Sequence, residues 1–208
     1  MTAPLVAVLD YGIGNLSSAH KALVRMGADA RLTRDAGLVA DADGVVLPGV
    51  GAFGACMDAL RGAALESVVH DAVASGRPFL GICVGMQMLF DASDEDPMHR
   101  GLGVLRGRVE AIPDTVRKPQ MQWNELHVHA TDSLFIGLPA TPWVYFVHSF
   151  AARPTDPRVV VATCDYGADL TAVVRHENVV ATQFHPEKSA ADGLSMLGNF
   201  VQSCGGAR

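Results

Sequence analysis

Short apolar runs rich in β-branched residues alternate with helix-like spacings through the first half of the chain. Apolar runs at residues 5–9, 30–33, 44–47 and 79–82 predict buried strands. Apolar positions that recur every three or four residues predict helices at 16–26, from 55 to 60 and at about 65–74. Strands that alternate with helices in this way are typical of a parallel sheet wound with helices.

The second half of the chain is predicted to be mostly extended. Turn residues separate segments of strand character, so we expect hairpins added to the edge of the sheet. These segments are 103–112, 125–129, 143–152, 159–163, 171–175 and 179–184, and a final helix is predicted at about 190–204. Residues 1–208 show no repeat and no long linker. The sequence therefore predicts one three-layer α/β domain, with a mostly parallel central sheet, helices on both faces and added antiparallel strands.

Composition and charge narrow the function. The 208 residues carry a formal charge of −6, and the 16 Lys and Arg residues are scattered. Because clusters of basic side chains bind phosphate backbones, we expect no nucleic-acid partner. No apolar stretch reaches the length of about 18 residues that a membrane span needs, and the chain does not start like a secretory signal. We expect a cytoplasmic protein with free thiols and no membrane partner.

The segment around Cys83 predicts a nucleophile. A predicted strand ends there, an apolar helical segment follows, and Gly81 and Gly85 stand two residues before and after it. Glycines at those positions leave room for the sharp turn of a nucleophile elbow. The N-terminus of the following helix favours thiolate over thiol. We interpret Cys83 as catalytic and the other three cysteines as packing residues: Cys56, Cys164 and Cys204.

A histidine and a carboxylate follow the last predicted strand. Pro186 pushes the residue before it into extended geometry, and in an extended segment His185 and Glu187 point the same way. Glu187 can then fix the tautomer of His185, whose other ring nitrogen is free to take a proton from Cys83. The sequence thus predicts a Cys–His–Glu triad.

Acyl chemistry at Cys83 also needs donors aimed at the developing oxyanion. The Val84 amide directly follows the nucleophile, and the glycine-rich turn at 48–51 predicts a second donor at Val50.

No motif in the chain indicates a cofactor or a metal. The turn at 48–51 lacks the phosphate-binding pattern, and the turn at 11–15 lacks the third glycine of a dinucleotide motif. His127 and His129 are two residues apart, but no further ligand completes a set. We expect neither a cofactor nor a metal.

The motifs around Cys83 and His185 resemble the class I, or triad, glutamine amidotransferases. GICVGMQ and FHPE occur in the expected order. Further segments resemble the family of glutaminase subunits of imidazole glycerol phosphate synthases: 10–15, 48–53, 121 with 123–124, 145–150 and 185–189. They extend over nearly the whole chain, and their combination is more specific than any single motif.

The resemblance implies hydrolysis of L-glutamine to glutamate and ammonia. The ammonia would pass, within a heterodimer, to a (β/α)8-barrel cyclase that makes imidazole glycerol phosphate in histidine biosynthesis. Cys83 would attack the amide, His185 would protonate the leaving ammonia and activate water, and Glu187 would orient His185. Positions that match glutamine-binding residues are Gly51, Gln87, Ser149 and Phe150. Positions that match the partner-facing surface are Asn15, Ser18, Met121, Trp123, Tyr145 and Lys188.

Two residues in the expected interface depart from the pattern. Gln120 stands where the family has histidine, and Gln122 stands where it has glycine.

Three other functions remain open from the sequence. The chain could be a triad glutaminase that serves the synthesis of anthranilate, guanylate, carbamoyl phosphate or pyridoxal phosphate. It could be a cysteine hydrolase or thiol-dependent stress protein of similar architecture, or a silent subunit that regulates a partner. The residues at 11–15 and 145–150 favour the imidazole glycerol phosphate synthase subunits.

Overall fold

The computed structural model describes residues 2–206, and its first half winds a sheet with helices. The strands are β1 (Leu5–Leu9), β2 (Asp29–Thr33), β3 (Gly44–Gly49) and β4 (Phe79–Cys83). The helices are α1 (Leu16–Arg25), α2 (Ala36–Asp41), α3 (Phe53–Gly62), α4 (Glu66–Ala74) and α5 (Val84–Met88). All the elements predicted in this half are present. The sequence analysis missed α2, because its six residues are too few to show a helical period.

The second half is mostly extended and ends in a long helix. Its strands are β5 (Ala92–Ser93), β6 (Gly107–Ala111), β7 (Gln120–Glu125), β8 (His127–Val128), β9 (Trp143–His148), β10 (Phe150–Pro154), β11 (Val160–Asp165), β12 (Asp169–His176) and β13 (Val179–Thr182), and α6 is Ala190–Gly205. Single 3-10 turns are formed by Ser133–Phe135, Pro157–Val159 and Pro186–Lys188. The segment predicted at 103–112 begins as a strand only at Gly107, since Gly103 takes a left-handed φ of 63°. The segment predicted at 143–152 divides at Ser149 into two strands of different sheets.

The main sheet has eight strands in the order β2-β1-β3-β4-β13-β12-β11-β8. The neighbours from β2 to β13 are parallel, and β12, β11 and β8 add antiparallel strands at one edge. The prediction that the later hairpins all join this edge is wrong for β6, β9 and β10, which lie in the predicted segments 103–112 and 143–152. Strand β5 and most of β7 were not predicted. Strands β10, β6 and β5 form one small sheet, and β7 and β9 form an antiparallel ribbon.

The core lies around the parallel strands. Every residue of β3, β4 and β13 is buried, as are four of the five residues of β1. Strands covered on both faces carry continuous rather than alternating apolar runs, which is the pattern that the sequence has. The chain is thus a mixed α/β protein with a mostly parallel central sheet. Within residues 2–206, no helix is long and apolar enough to cross a bilayer.

Three neighbouring strands bring the predicted catalytic residues to one edge of the sheet. Strand β13 runs parallel to β4 with Thr182 opposite Ile82, and β3 lies on the other side with Gly49 opposite Cys83. Ligand sites of open α/β sheets form outside the carboxyl ends of such strands. The residues that follow β3, β4 and β13 therefore meet, although they are far apart in the sequence.

Candidate active site

Cys83 occupies the apex of a sharp turn between β4 and α5. Its φ of 56° and ψ of −114° are unusual for a residue with a side chain. Such a conformation costs about 1–3 kcal/mol and survives only where the surroundings impose it. Gly85, two residues further on, lets the start of α5 pack closely against β3, because a Cβ at this position would collide with the carbonyl oxygen of Leu47. The sharp strand-to-helix turn predicted at Cys83 is confirmed.

His185 and Glu187 form a buried pair. His185 Nδ1 lies 2.8 Å from Glu187 Oε1, and the two side chains are only 3% and 2% exposed. The backbone of His185 is also held, because its N–H donates to the carbonyl of Tyr145 at 3.3 Å and its carbonyl accepts from Ser189 Oγ at 2.7 Å. A carboxylate at Nδ1 keeps a proton on that nitrogen and leaves Nε2 free to take part in proton transfer.

The pKa of His185 is raised to about 9. Burial lowers it, but hydrogen bonds with Cys83 and Glu187 and their negative charges outweigh burial. The imidazole therefore remains protonated at neutral pH. A protonated imidazole beside the Cys83 sulfur can act as a general acid.

A chain of amide side chains reaches the sulfur from the side of β13. Gln183 is fully buried, and its Nε2 donates to Cys83 Sγ at 3.8 Å. Gln87 donates through Nε2 to Gln183 Oε1 at 3.0 Å and to the Phe150 carbonyl at 3.1 Å. The sequence analysis missed Gln183. The alternation that pairs His185 with Glu187 puts residue 183 on the same side, and this signal could have found it.

A cavity of about 420 Å³ opens at Cys83. It is lined by predicted catalytic, oxyanion, substrate and partner-facing residues: Asn15, Val50, Gly51, Cys83, Val84, Gln87, Ser149, Phe150, His185 and Lys188. Glu187 stays out of this lining, behind His185. Four other residues predicted for the partner surface lie outside the cavity: Ser18, Met121, Trp123 and Tyr145.

Four lining residues were not predicted: Glu95, Pro119, Val147 and His148. Glu95 brings a carboxylate to the cavity, and its Oε2 accepts the Phe53 N–H at 2.9 Å. It lies in the acidic run at 94–96, which on its own looks like a solvated surface. His148 is buried, and burial lowers its pKa to about 4. At neutral pH, His148 is therefore neutral, whereas His185 is charged.

An exposed face lies on the ribbon of β7 and β9, next to the cavity. Met121 is 61% exposed and Trp123 is 44% exposed, and the Trp123 ring lies 6.1 Å from that of Tyr145. Gln120 does not belong to this face, which corrects its assignment to the interface. It is fully buried and lies 2.8 Å from His148 Nε2, because side chains alternate along the strand.

The described residues offer no group of three or more His, Cys, Asp and Glu side chains able to hold a metal ion. His129 instead lies within hydrogen-bond distance of Thr163 Oγ1, at 2.7 Å.

The model of the class I glutamine amidotransferases matches residues 7–204. The chain belongs to this family. Imidazole glycerol phosphate synthase subunit HisH of Rhodopirellula baltica is 46% identical over 199 residues, 95% of this chain and 97% of the relative. The same subunit of Synechococcus elongatus is 45% identical over 212 residues, 100% of this chain and 97% of the relative. A solved glutamine amidotransferase superposes with a TM-score of 0.76 at 26% identity, covering 96% of this chain and 98% of its own.

Membership of the glutamine amidotransferases fits the geometry of the site. The elbow at Cys83, the buried His185–Glu187 pair and the cavity occur together at the carboxyl ends of β3, β4 and β13. A putative subunit of GMP synthase from Thermoplasma acidophilum, 21% identical, has the same fold, with a TM-score of 0.75 over 99% of this chain and 96% of its own.

Proposed function

We propose that this chain is the glutaminase subunit of an imidazole glycerol phosphate synthase. It hydrolyses L-glutamine to glutamate and ammonia, and a cyclase partner uses the ammonia to make imidazole glycerol phosphate in L-histidine biosynthesis. The near-full-length likeness to HisH subunits supports the pathway. The observation that carries the chemistry is the buried His185–Glu187 pair beside a strained Cys83.

Cys83 is the nucleophile in this proposal. Its thiolate forms a bond to the amide carbon, and the carbonyl electrons move onto oxygen. When this intermediate collapses, the C–N bond breaks and His185 Nε2 gives its proton to the nitrogen, which leaves as ammonia. Water then attacks the thioester, gives a proton back to His185 and releases glutamate. Glu187 holds the ring and stabilises its positive charge.

The amides of Val84 and Val50 are the proposed donors to the oxyanion. Val84 opens α5, so its N–H has no partner within the helix. Val50 follows β3, the strand paired with β4, and both residues line the cavity. Donors in these two places can point at the same oxygen.

The proposed glutamine site uses Gly51, Gln87, Ser149 and Phe150. Both N–H bonds of the Gln87 amide are used within the protein, so Gln87 has only Oε1 to offer a ligand. Glu95 adds a carboxylate to the lining, and we assign it to the α-ammonium group of the substrate. The reaction needs neither a cofactor nor a metal.

The partner in this proposal is a (β/α)8-barrel cyclase, and the two chains form a heterodimer. The docking face includes Met121, Trp123 and Tyr145 on the ribbon, with Asn15, Ser18 and Lys188 beside it. Exposed aromatic and methionine side chains are enriched at interface cores. We propose that residues 1–208 act as one domain in the cytoplasm and bind neither nucleic acid nor membrane.

An assay with alternative synthases tests this function against other triad glutaminases. Glutamate release is measured with the barrel cyclase and, in parallel, with anthranilate and GMP synthase subunits. We expect stimulation by the cyclase alone, together with formation of imidazole glycerol phosphate. Stimulation by a different synthase would reject the pathway and keep the glutaminase chemistry, whereas no glutamate release with any partner would reject both.

A further inference from the structure

Two buried side chains outside the triad hold the loop that carries Val50. Tyr11 Oη donates to the carbonyl oxygen of Pro48 at 2.6 Å, and Cys56 Sγ donates to the carbonyl oxygen of Val50 at 3.3 Å. Tyr11 is 4% exposed and Cys56 is 0% exposed, so both donors are shielded from water. Neither residue belongs to the triad or lines the cavity.

The peptide unit between these two anchored carbonyls joins Gly49 to Val50. Its N–H is the proposed second donor to the oxyanion. Gly49 packs against the first donor, because a Cβ built on it would lie 2.6 Å from Gly85 N, 3.0 Å from Val84 C and 3.0 Å from Tyr11 Oη. The hydroxyl of Tyr11 therefore touches the loop where the two donors come together.

Both anchors keep their protons over the working pH range. Burial raises the pKa of Tyr11 well above its usual value and raises the pKa of Cys56 to about 11. Each side chain has one hydrogen to donate. Cys56 donates it to the Val50 carbonyl, and Tyr11 donates it to the Pro48 carbonyl at 2.6 Å, with Met88 Sδ at the longer distance of 3.9 Å. The anchors act as permanent donors and do not switch with pH.

We propose that Tyr11 and Cys56 are positioning residues for the oxyanion hole. They fix the carbonyls of Pro48 and Val50, so that only the Gly49–Val50 peptide can reorient and its N–H is aimed at the tetrahedral intermediate. This inference rests on the proposed function, since it assigns the Val50 N–H to the oxyanion. It predicts an effect on kcat, because the oxyanion exists only after the attack by Cys83.

The chain offers matched controls for both anchors. Tyr166 Oη donates to the carbonyl oxygen of Arg117 at 2.8 Å, and Cys204 Sγ donates to the carbonyl oxygen of Phe200 at 3.3 Å. Tyr166→Phe and Cys204→Ala therefore remove the same chemical groups from other parts of the fold. Cys56→Ser keeps a donor where Cys56→Ala removes it.

The test measures kcat and KM for glutamine in the complex with the cyclase and its ligand. We expect Tyr11→Phe and Cys56→Ala to lower kcat about tenfold, with KM within about twofold, as partial loss of an oxyanion donor predicts. We expect Cys56→Ser, Tyr166→Phe and Cys204→Ala to stay within about threefold of the parent. Alkylation of Cys83 by iodoacetamide should be unchanged in every variant, because that reaction forms no oxyanion.

Hydrogen exchange of the peptide covering residues 44–55 provides a readout that does not need activity. Exchange should quicken several-fold in Tyr11→Phe and Cys56→Ala and remain unchanged in Tyr166→Phe. A parent complex without glutaminase activity would contradict the proposed function. An active parent whose Tyr11→Phe and Cys56→Ala variants match its kcat, or unchanged exchange in those variants, would overturn the positioning role.

Discussion

Gln183 Nε2 donates to Cys83 Sγ across 3.8 Å: Cys83 ends β4, and Gln183 directly follows β13, the adjacent parallel strand. The amide of Gln183 cannot turn around without losing the 3.0 Å hydrogen bond that its Oε1 accepts from Gln87. The donor is thus oriented before the substrate arrives. In the proposed reaction, Gln183 therefore supplies a fixed N–H donor to the sulfur that attacks the substrate.

Replacing Gln183 by leucine should make Cys83 less reactive. The variant places an apolar side chain in the site and removes the N–H donor to Cys83 Sγ. We therefore expect the alkylation of Cys83 at pH 7 to slow by about tenfold. Gln120→Leu is the control. Gln120 is also fully buried and also contacts a cysteine sulfur, Cys164 Sγ at 3.9 Å. Equal alkylation rates in both variants, measured by mass spectrometry of the Cys83 peptide, would reject the assignment.

A glutamine-like electrophile should label Cys83 in preference to the other cysteines. Burial raises the pKa of Cys56 to about 11 and that of both Cys164 and Cys204 to about 12, so these thiols carry no charge at neutral pH. The thiolate is the reactive species. Peptide mapping after labelling decides the matter, and a label found mainly on another cysteine would disprove the role of Cys83.

The raised pKa of His185 sets the alkaline limit of activity. The imidazolium persists up to its pKa of about 9, so kcat/KM should fall as the pH rises through that value. Glu187→Gln removes one of the interactions that raise this pKa, and the fall should move to lower pH by about one unit. Profiles of kcat/KM between pH 6 and 10 measure the alkaline limits of the parent and of Glu187→Gln. An unmoved alkaline limit would show that Glu187 does not tune His185.

The two triad partners should also differ in how much they contribute. His185→Ala removes the acid and base of both half-reactions and should lower kcat by about 10²–10⁴-fold. Glu187→Gln leaves the imidazole in place and should cost less. Equal or reversed losses under saturating glutamine would mean that these roles are wrong.

The strained backbone at Cys83 predicts an unusual effect of glycine. Cys83→Gly should be more stable than Cys83→Ala by about 1 kcal/mol, because glycine adopts a positive φ without steric cost. At Ser195, in the middle of α6, the order should reverse: Ser195→Ala should be more stable than Ser195→Gly by about 1 kcal/mol, because glycine weakens a helix interior. Denaturant unfolding of the four variants measures both differences. The same order at both positions would show that the elbow stores no strain.

Local signals account for most of what the sequence predicted. The bracket of Gly81 and Gly85 and the His185-to-Glu187 spacing are short-range patterns, and each needs only the periodicity of its own segment. They predicted the elbow and the buried pair. The meeting of Cys83 with His185 depends on the pairing of β4 with β13, which are about a hundred residues apart. No local pattern encodes that pairing, and only the chemical fit of a thiol, an imidazole and a carboxylate suggested that these residues meet.

The features that sequence analysis missed depend on tertiary surroundings. Gln120 was expected in the interface, but the alternation of side chains along β7 places it inward, next to His148. The acidic run at 94–96 suggests that Glu95 is a surface residue, but the loop after β5 places it in the cavity lining. The hydroxyl of Tyr11 reaches Pro48 only because β1 and β3 are neighbours. Residue type and spacing alone do not reveal such contacts.

The proposed function requires that the cyclase partner activates glutamine hydrolysis by this chain. Trp123→Ala and Lys188→Ala should weaken activation without altering amide cleavage itself, because Trp123 is absent from the cavity lining and Lys188, which lines the cavity, is solvent-exposed. Met98→Ala serves as the control, since Met98 is 89% exposed and lies outside the ribbon. Activation lost in the control as well would point to a general defect.

The most direct measurement compares glutamate release by the isolated chain with release after adding the barrel cyclase and its nucleotide-like ligand. We predict a rate barely above background for the chain alone and an increase of about 10²–10³-fold in the complex, the magnitude of one oxyanion donor brought into place. Full activity in the isolated chain, or no increase with the cyclase, would contradict the account.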